Sequence, residues 1–182
     1  MGFAASIGYE IKPSNAAQRG MQKVASSRPG AWVFSKGLHY ADRWMFKVSK
    51  GRLTVPGIVA GLPILMVTTT GAKSAKKRTM PLVAVPIEGD LAIIGTNFGQ
   101  TNTPGWVYNL EADQNGSVSY RDRETPFVAR RATPEETDQA LVAAARVYPG
   151  YDKYRERISG REVKVFVLQA TNESSEPIDG PP

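Results

Sequence analysis

The chain has 182 residues, 41% hydrophobic and 22% charged, a composition that can bury one core and fits a single domain. Cysteine is absent and His39 is the one histidine, which excludes disulfides, thiol catalysis and any metal site built from thiolates or several imidazoles. The net charge of +6 points to an acidic partner, and nucleic acid, anionic lipid or a multiply charged cofactor would each serve.

In chain order, residues 1–13 read as irregular, with two glycines and Pro13. Ser14 or Asn15 can cap a short helix to about Ser26, which Arg28-Pro29-Gly30 breaks. Over 31–49, Phe34, Leu38, Ala41, Met45 and Val48 recur on one helical face, while Lys36, Arg43, Lys47 and Lys50 share another. Gly51 ends that helix, and 55–61 reads as a loop. Ile64–Thr70 is rich in β-formers and stops at Gly71. A second strand over 79–87 contains Pro81 and Pro86, which imply an edge or a bulge. Glu88-Gly89-Asp90 is a turn, and 91–96 is a third strand. The polar loop 97–103 leads to Pro104 and a short helix, Gly105–Ala112.

Residues 117–120 and 125–132 make a hairpin. Thr133-Pro134-Glu135-Glu136 joins a capping residue, proline at the first helical position and acids in the first turn, and opens a helix to about Tyr148. Pro149-Gly150 breaks it, and a short helix follows to Ile158. The last strand is 163–168, and 173–182 is a polar tail. Antiparallel hairpins with helices packed on one side imply an α+β barrel rather than a doubly wound sheet. The expected organisation is an N-terminal extension, 1–28, with a short helix, a barrel domain, 29–170, and a mobile tail, 171–182. Removing 1–28 is expected to leave the barrel standing.

No secretory pattern is visible at the start and no apolar run is long enough to span a bilayer, so the expected location is cytoplasmic. The two-faced segment 31–49 fits peripheral attachment at the inner face of the cell membrane, and it also fits ordinary packing on the barrel, which is the preferred reading.

Charge is unevenly placed. Residues 43–87 hold eight cations and no acid. Lys73, Lys76, Lys77 and Arg78, with Ser74, fall in the turn between the first two strands. Such donors suit phosphate and carboxylate oxygens, although the Walker spacing is missing. Read alone, the turn is either a solvated hairpin tip or a phosphate site.

Three ordered stretches narrow the choice. They are Thr69-Thr70-Gly71-x-Lys73-Ser74-x-x-x-Arg78-x-x-Pro81-Leu82; then Asn97-Phe98-Gly99 with Pro104-Gly105-Trp106-Val107-Tyr108-Asn109-Leu110; then Tyr148-Pro149-Gly150-Tyr151 followed by Asp152, Tyr154 and Arg155. Together with Gln22-Lys23-Val24-Ala25-Ser26 and Arg28-Pro29-Gly30-Ala31-Trp32, they resemble the deazaflavin (coenzyme F420)-dependent nitroreductase and quinone reductase family over roughly residues 18–169. The resemblance implies an antiparallel split β-barrel of the flavin-reductase kind with N-terminal helices packed against it. It also implies a hydride transfer from reduced coenzyme F420 to a small apolar acceptor such as a quinone, enone or nitroaromatic.

By that resemblance, Lys73, Ser74, Lys76, Lys77, Arg78 and Thr79 would hold the coenzyme's phosphodiester and poly-glutamate tail. Met80 and Pro81 would lie against its ring system. Thr96, Asn97, Phe98 and Gly99 would offer backbone donors to the deazaflavin head, and Gly105, Trp106 and Asn109 would close over it. Trp106 also reads as a core anchor. Tyr148, Tyr151 and Tyr154 are the candidate catalytic donors, with aromatics covering a barrel end as the plainer reading. No metal is implied. The sequence departs from the family's usual residues at Ala72, Ala75, Thr103 and Val107, where Arg, Gly, His and Tyr are common.

The competing reading is a split-barrel protein that binds flavin mononucleotide, haem or a fatty acid without turnover. A binder of nucleic acid or anionic lipid is the third. The basic turn lacks interleaved exposed aromatics and any nucleic-acid motif, so no nucleic-acid partner is expected.

Overall fold

The computed structural model describes residues 2–11, 15, 20, 27, 64–121, 123–148, 150–158 and 160–171. The helix expected over 31–49, the loop 55–61, His39, Trp32, Trp44 and the tail beyond residue 171 lie outside the described residues, as does nearly all of the helix expected over 14–26.

Six strands close into an antiparallel barrel: β1 (Ile64–Thr70), β2 (Lys77–Ile87), β3 (Asp90–Ile94), β4 (Asn115–Tyr120), β5 (Arg123–Arg131) and β6 (Val165–Ala170), in the spatial order β1-β2-β3-β6-β5-β4. Among the described residues the helices are α1 (Phe3–Ser6), α2 (Gly105–Ala112), α3 (Pro134–Val147) and α4 (Gly150–Arg157), with one 3-10 turn at Asn97–Gly99. The α+β barrel read from the element order is the observed architecture. Among the described residues, no helix is long and apolar enough to cross a membrane.

Closure depends on two long strands that change partners. β2 pairs with β1 from Lys77 to Val83 and with β3 from Ala84 to Ile87. β5 pairs with β4 up to Val128 and with β6 from Phe127 onward. Such hand-overs are what tilted, staggered strands need in order to close a small barrel. They also resolve the two prolines. Pro81 and Pro86 are an odd number of residues apart, so their nitrogens face opposite edges of β2. Each can place its missing donor on the edge its half of the strand leaves unpaired.

Inward residues recur with period two: Leu65 and Val67, Leu91 and Ile93, Phe127 and Ala129, Phe166 and Leu168 are all buried in one cluster. The outer faces of β2, β3 and β6 carry a second cluster, in which Val85, Ala92, Ile94, Val165 and Val167 pack against Ala140 and Ala144 of α3. Strands covered on both faces read as continuous apolar runs, which explains Val165-Phe166-Val167-Leu168. The start of α3 has the expected capping box: Thr133 accepts from the Glu136 amide, and the Glu136 carboxylate accepts from the Thr133 amide.

The N-terminus departs from expectation. Residues 1–13 read as irregular, yet Phe3–Ser6 form a helical turn whose Phe3 is fully buried in the barrel core with Ile7 and Tyr9. The Phe3 amide donates to Asp90 and the Ala4 amide to the Gly89 carbonyl, which fixes this segment on the β2–β3 turn. It plugs the barrel end opposite the basic turn. Of the first 28 residues, which were expected to be dispensable to the barrel, Phe3, Ala4, Ile7 and Tyr9 contribute part of its core.

Candidate functional site

The end of the barrel opposite the plug gathers the β1–β2 turn, the loop 95–104, α2 and α4. In the turn, the Gly71 carbonyl accepts from the amides of Ser74 and Ala75, and the Gly71 amide donates to Lys76. A Cβ at Gly71 would sit 2.6 Å from the Ser74 hydroxyl and 3.1 Å from the Lys76 carbonyl, so glycine lets the return close tightly without displacing Ser74. Ala75 has φ +52°, in the left-handed region. The resembled family often has glycine at this position, and the backbone shows why.

Lys73, Ser74, Lys76, Lys77, Arg78 and Thr79 are all exposed. Lys77 donates to the Thr70 hydroxyl at 3.2 Å and also faces Asp113, whose carboxyl is held below its usual range mainly by bonds from Asn115. Among the described residues no carboxylate forms an ion pair with Lys73, Lys76 or Arg78. Register separates the next two candidates. Met80 lies opposite Val67 and packs on the core, whereas Pro81 lies opposite Met66 on the other face of the sheet. The two candidates expected against the ring system therefore sit on opposite faces of the sheet.

Asn109 is brought to this turn from α2. Its Oδ1 accepts from the Ala72 amide at 3.0 Å and its Nδ2 donates to the Thr69 hydroxyl at 2.9 Å. Thr69 is fully buried. Asn109 thus staples α2 to the basic turn. Trp106, one turn earlier, is buried edge-on to Phe166 at 5.9 Å, in the core-anchor position. Gly105 is exposed at the start of α2.

The loop after β3 has unusual backbone. Asn97, Phe98 and Gly99 have φ of +48°, +56° and +77° in succession. Left-handed backbone at a bulky residue such as Phe98 costs about 1–2 kcal/mol and persists only where the surroundings impose it. The amides of Gly99 and Gln100 are satisfied by Thr96 and Asn97. Among the described residues, those of Asn97 and Phe98 have no acceptor. Arg161 imposes the shape from below: its guanidinium donates to the carbonyls of Gly95, Thr96 and Gln100 at 3.0, 3.2 and 3.2 Å.

Tyr148, Tyr151 and Tyr154 form one cluster, with ring centroids 5.8–6.3 Å apart. Gly150 permits it, because a Cβ there would run into the Tyr148 ring. The Tyr148 and Tyr154 hydroxyls are 3.1 Å apart and buried. Burial pushes all three phenols up, so they stay protonated. Phe98 meets Tyr154 edge-on at 6.2 Å, which joins the strained loop to the cluster. No hydrogen bond or ion pair among the described residues joins the cluster to the basic turn. No group of three or more metal-ligating side chains occurs among them either.

Sequence reasoning missed Arg161. It stands in a polar stretch and bonds to backbone carbonyls 61–66 residues away, which leave no mark in the side-chain pattern.

Comparison with known proteins agrees with this geometry. Residues 41–170 match the family model of the F420H(2)-dependent quinone reductases. An F420H(2)-dependent quinone reductase of Mycobacterium tuberculosis is 26% identical over 129 residues, covering 68% of this chain and 84% of the relative. The solved structure of an F420-H2 dependent reductase (FDR-A) is 36% identical with TM-score 0.53, over 58% of this chain and 93% of that one. A solved domain-swapped dimer is 30% identical with TM-score 0.55, over 71% of this chain and 97% of that one.

Proposed function

The chain belongs to the F420H(2)-dependent quinone reductase family, and from that premise we propose that it is a reductase using reduced coenzyme F420 and an apolar acceptor of the quinone class. The observation that carries the reading is the exposed turn in which Lys73, Lys76 and Arg78 form no ion pair with a carboxylate among the described residues. A coenzyme bearing a phosphodiester and several glutamates supplies the missing anions, so the donor set fits it. Three cations and the Ser74 hydroxyl on one turn suit a compact polyanion. The open amides of Asn97 and Phe98 are donors of the right kind for carbonyl groups of a heterocyclic head.

The bound coenzyme supplies the hydride, and the protein's part is position, field and exclusion of water. Tyr148, Tyr151 and Tyr154 are proposed to serve the acceptor side. Tyr148 and Tyr154 share a single hydroxyl contact, which uses one of their two protons. The other is free to be donated to an acceptor oxygen that gains charge. Trp106 supports the site as a core anchor, which is compatible with its closing over the coenzyme. Enones and nitroaromatics fit the same chemistry. Peripheral membrane attachment through 31–49 would suit a lipid-soluble quinone and is proposed on the sequence alone.

Titration with oxidised coenzyme F420, followed by its fluorescence, tests the assignment. Lys73→Ala and Arg78→Ala should each weaken binding roughly tenfold, the worth of a charge-assisted hydrogen bond. Turnover at saturation should stay near wild type, because these contacts are uniform between ground and transition states. Wild-type affinity in both variants would overturn the site. Tight binding with no reduction of any quinone would favour the binding-module reading.

A further inference from the structure

We infer that Arg161 is a positioning residue that turns the Asn97 amide outward as a donor for the coenzyme, an inference that rests on the function proposed above. Each acceptor of its guanidinium is a backbone carbonyl: Gly95, Thr96 and Gln100, with Glu162 more distant at 3.4 Å. No carboxylate is among them, and its Nε is buried without an acceptor. A partly buried cation held by carbonyls alone is an expensive way to fix a loop, since an ion pair would compensate the charge better.

The geometry shows what is obtained instead. In a trans peptide the carbonyl and the amide hydrogen point in opposite directions, and no cis bond occurs among the described residues. The Thr96 carbonyl belongs to the same peptide unit as the Asn97 amide. Arg161 holds that carbonyl at 3.2 Å, and the Gly99 amide binds it at 2.9 Å, so the Asn97 N–H faces away from both. The left-handed run at Asn97, Phe98 and Gly99 follows from the same constraint. Gly99 packs tightly there: a Cβ would come within 3.2 Å of Tyr154 Cα. The positive charge behind the loop reinforces the outward amide as an electrostatic donor. A neutral residue could neither span three carbonyls nor supply that field.

Two variants of the full chain, Arg161→Gln and Arg161→Lys, test this. Three measurements are needed: hydrogen exchange at the Gly99 and Gln100 amides without ligand, affinity for oxidised coenzyme F420, and steady-state kinetics with the reduced coenzyme and a naphthoquinone. Arg161→Gln should speed exchange at Gly99 and Gln100 by about tenfold or more, with the β-strand amides unchanged. It should raise the dissociation constant and the coenzyme KM by about tenfold while kcat changes by less than about threefold. Arg161→Lys restores the charge but not the fork, so it should recover part of the affinity. Should Arg161→Gln fail to fold, Arg161→Lys against wild type carries the same comparison. Wild-type affinity in Arg161→Gln, or faster exchange spread equally over the barrel, overturns the inference. A wild-type protein that binds no coenzyme overturns the proposed function, and the role of Arg161 toward the coenzyme with it.

Discussion

The Tyr9 hydroxyl donates to the Ala84 carbonyl at 2.7 Å, in a buried position where the pairing of β2 with β1 has just ended at Val83. Burial pushes the phenol up, so it remains a neutral donor across the working pH range. The bond closes the accounting for a carbonyl that the strand hand-over would otherwise leave without a partner. Tyr9→Phe should cost about 0.5–1.5 kcal/mol, and Phe3→Ala about 3–5 kcal/mol through the cavity it leaves. Urea unfolding checks both. A variant lacking residues 1–10 should lose most of its stability, and one with the wild-type midpoint would show that the plug is dispensable.

Ala75 holds a left-handed backbone with φ +52° in an exposed turn. Ala75→Gly removes the Cβ strain at the cost of a more flexible unfolded chain. The net gain should be about 0.5–1 kcal/mol, or a rise of about 1–4 °C in melting temperature. Calorimetry decides the sign; a lower melting temperature would mean that the turn is not locked in this conformation.

Asn109, expected to close over the coenzyme, bonds in the structure to the Ala72 amide and the Thr69 hydroxyl, and so braces the basic turn. Asn109→Ala leaves the buried Thr69 hydroxyl without its donor, which costs about 1–3 kcal/mol. It also frees the Ala72 amide, so under the proposed site coenzyme affinity should fall together with stability. Lys73→Ala, by contrast, should lower affinity at unchanged stability. Finding affinity and stability uncoupled in Asn109→Ala would return the residue to direct binding.

How far the sequence reached differs by element. Ile64–Thr70, Gly105–Ala112 and the capped helix after Thr133 carry local signals, namely β-branched runs, Pro104 and a capping box, and all three are where they were expected. The second strand starts two residues earlier than expected, because Lys77 and Arg78 pair with Thr70 and Thr69, and charged residues give no strand signal by themselves. The N-terminal plug was not legible, since the partners of Phe3 and Tyr9 lie 87 and 75 residues away. The cations, the loop and the tyrosines were legible as residue types. Their division of labour was not: Met80 faces inward by strand parity, Asn109 braces, and Arg161 acts on carbonyls.

Glu136 carries the acid sensitivity of α3. Two bonds from Arg130, with a further bond from the Thr133 amide, hold its carboxyl at about 2, well below the usual carboxylate range. A folded-state value below the unfolded one means stability that is present above about pH 4.5 and lost as pH falls toward 2. Glu136→Gln should therefore flatten the stability profile between these values while lowering stability at neutral pH. Chemical denaturation at pH 3 and pH 7 checks this: an unchanged difference between the two would assign the acid sensitivity to another group.

The closing strand has a consequence in time. β6 is the last of the described strands and fills the gap between β3 and β5, so no closed barrel exists before Leu168 has been made. At ordinary rates of synthesis that is roughly ten to thirty seconds after Phe3. Through that interval Leu65, Val67 and Phe127 have no interior to enter, and Phe3 has no completed mouth to plug. Pairing between distant segments also makes the final closure slow. Conditions that stall synthesis before β6 should therefore yield aggregate rather than partly folded barrel.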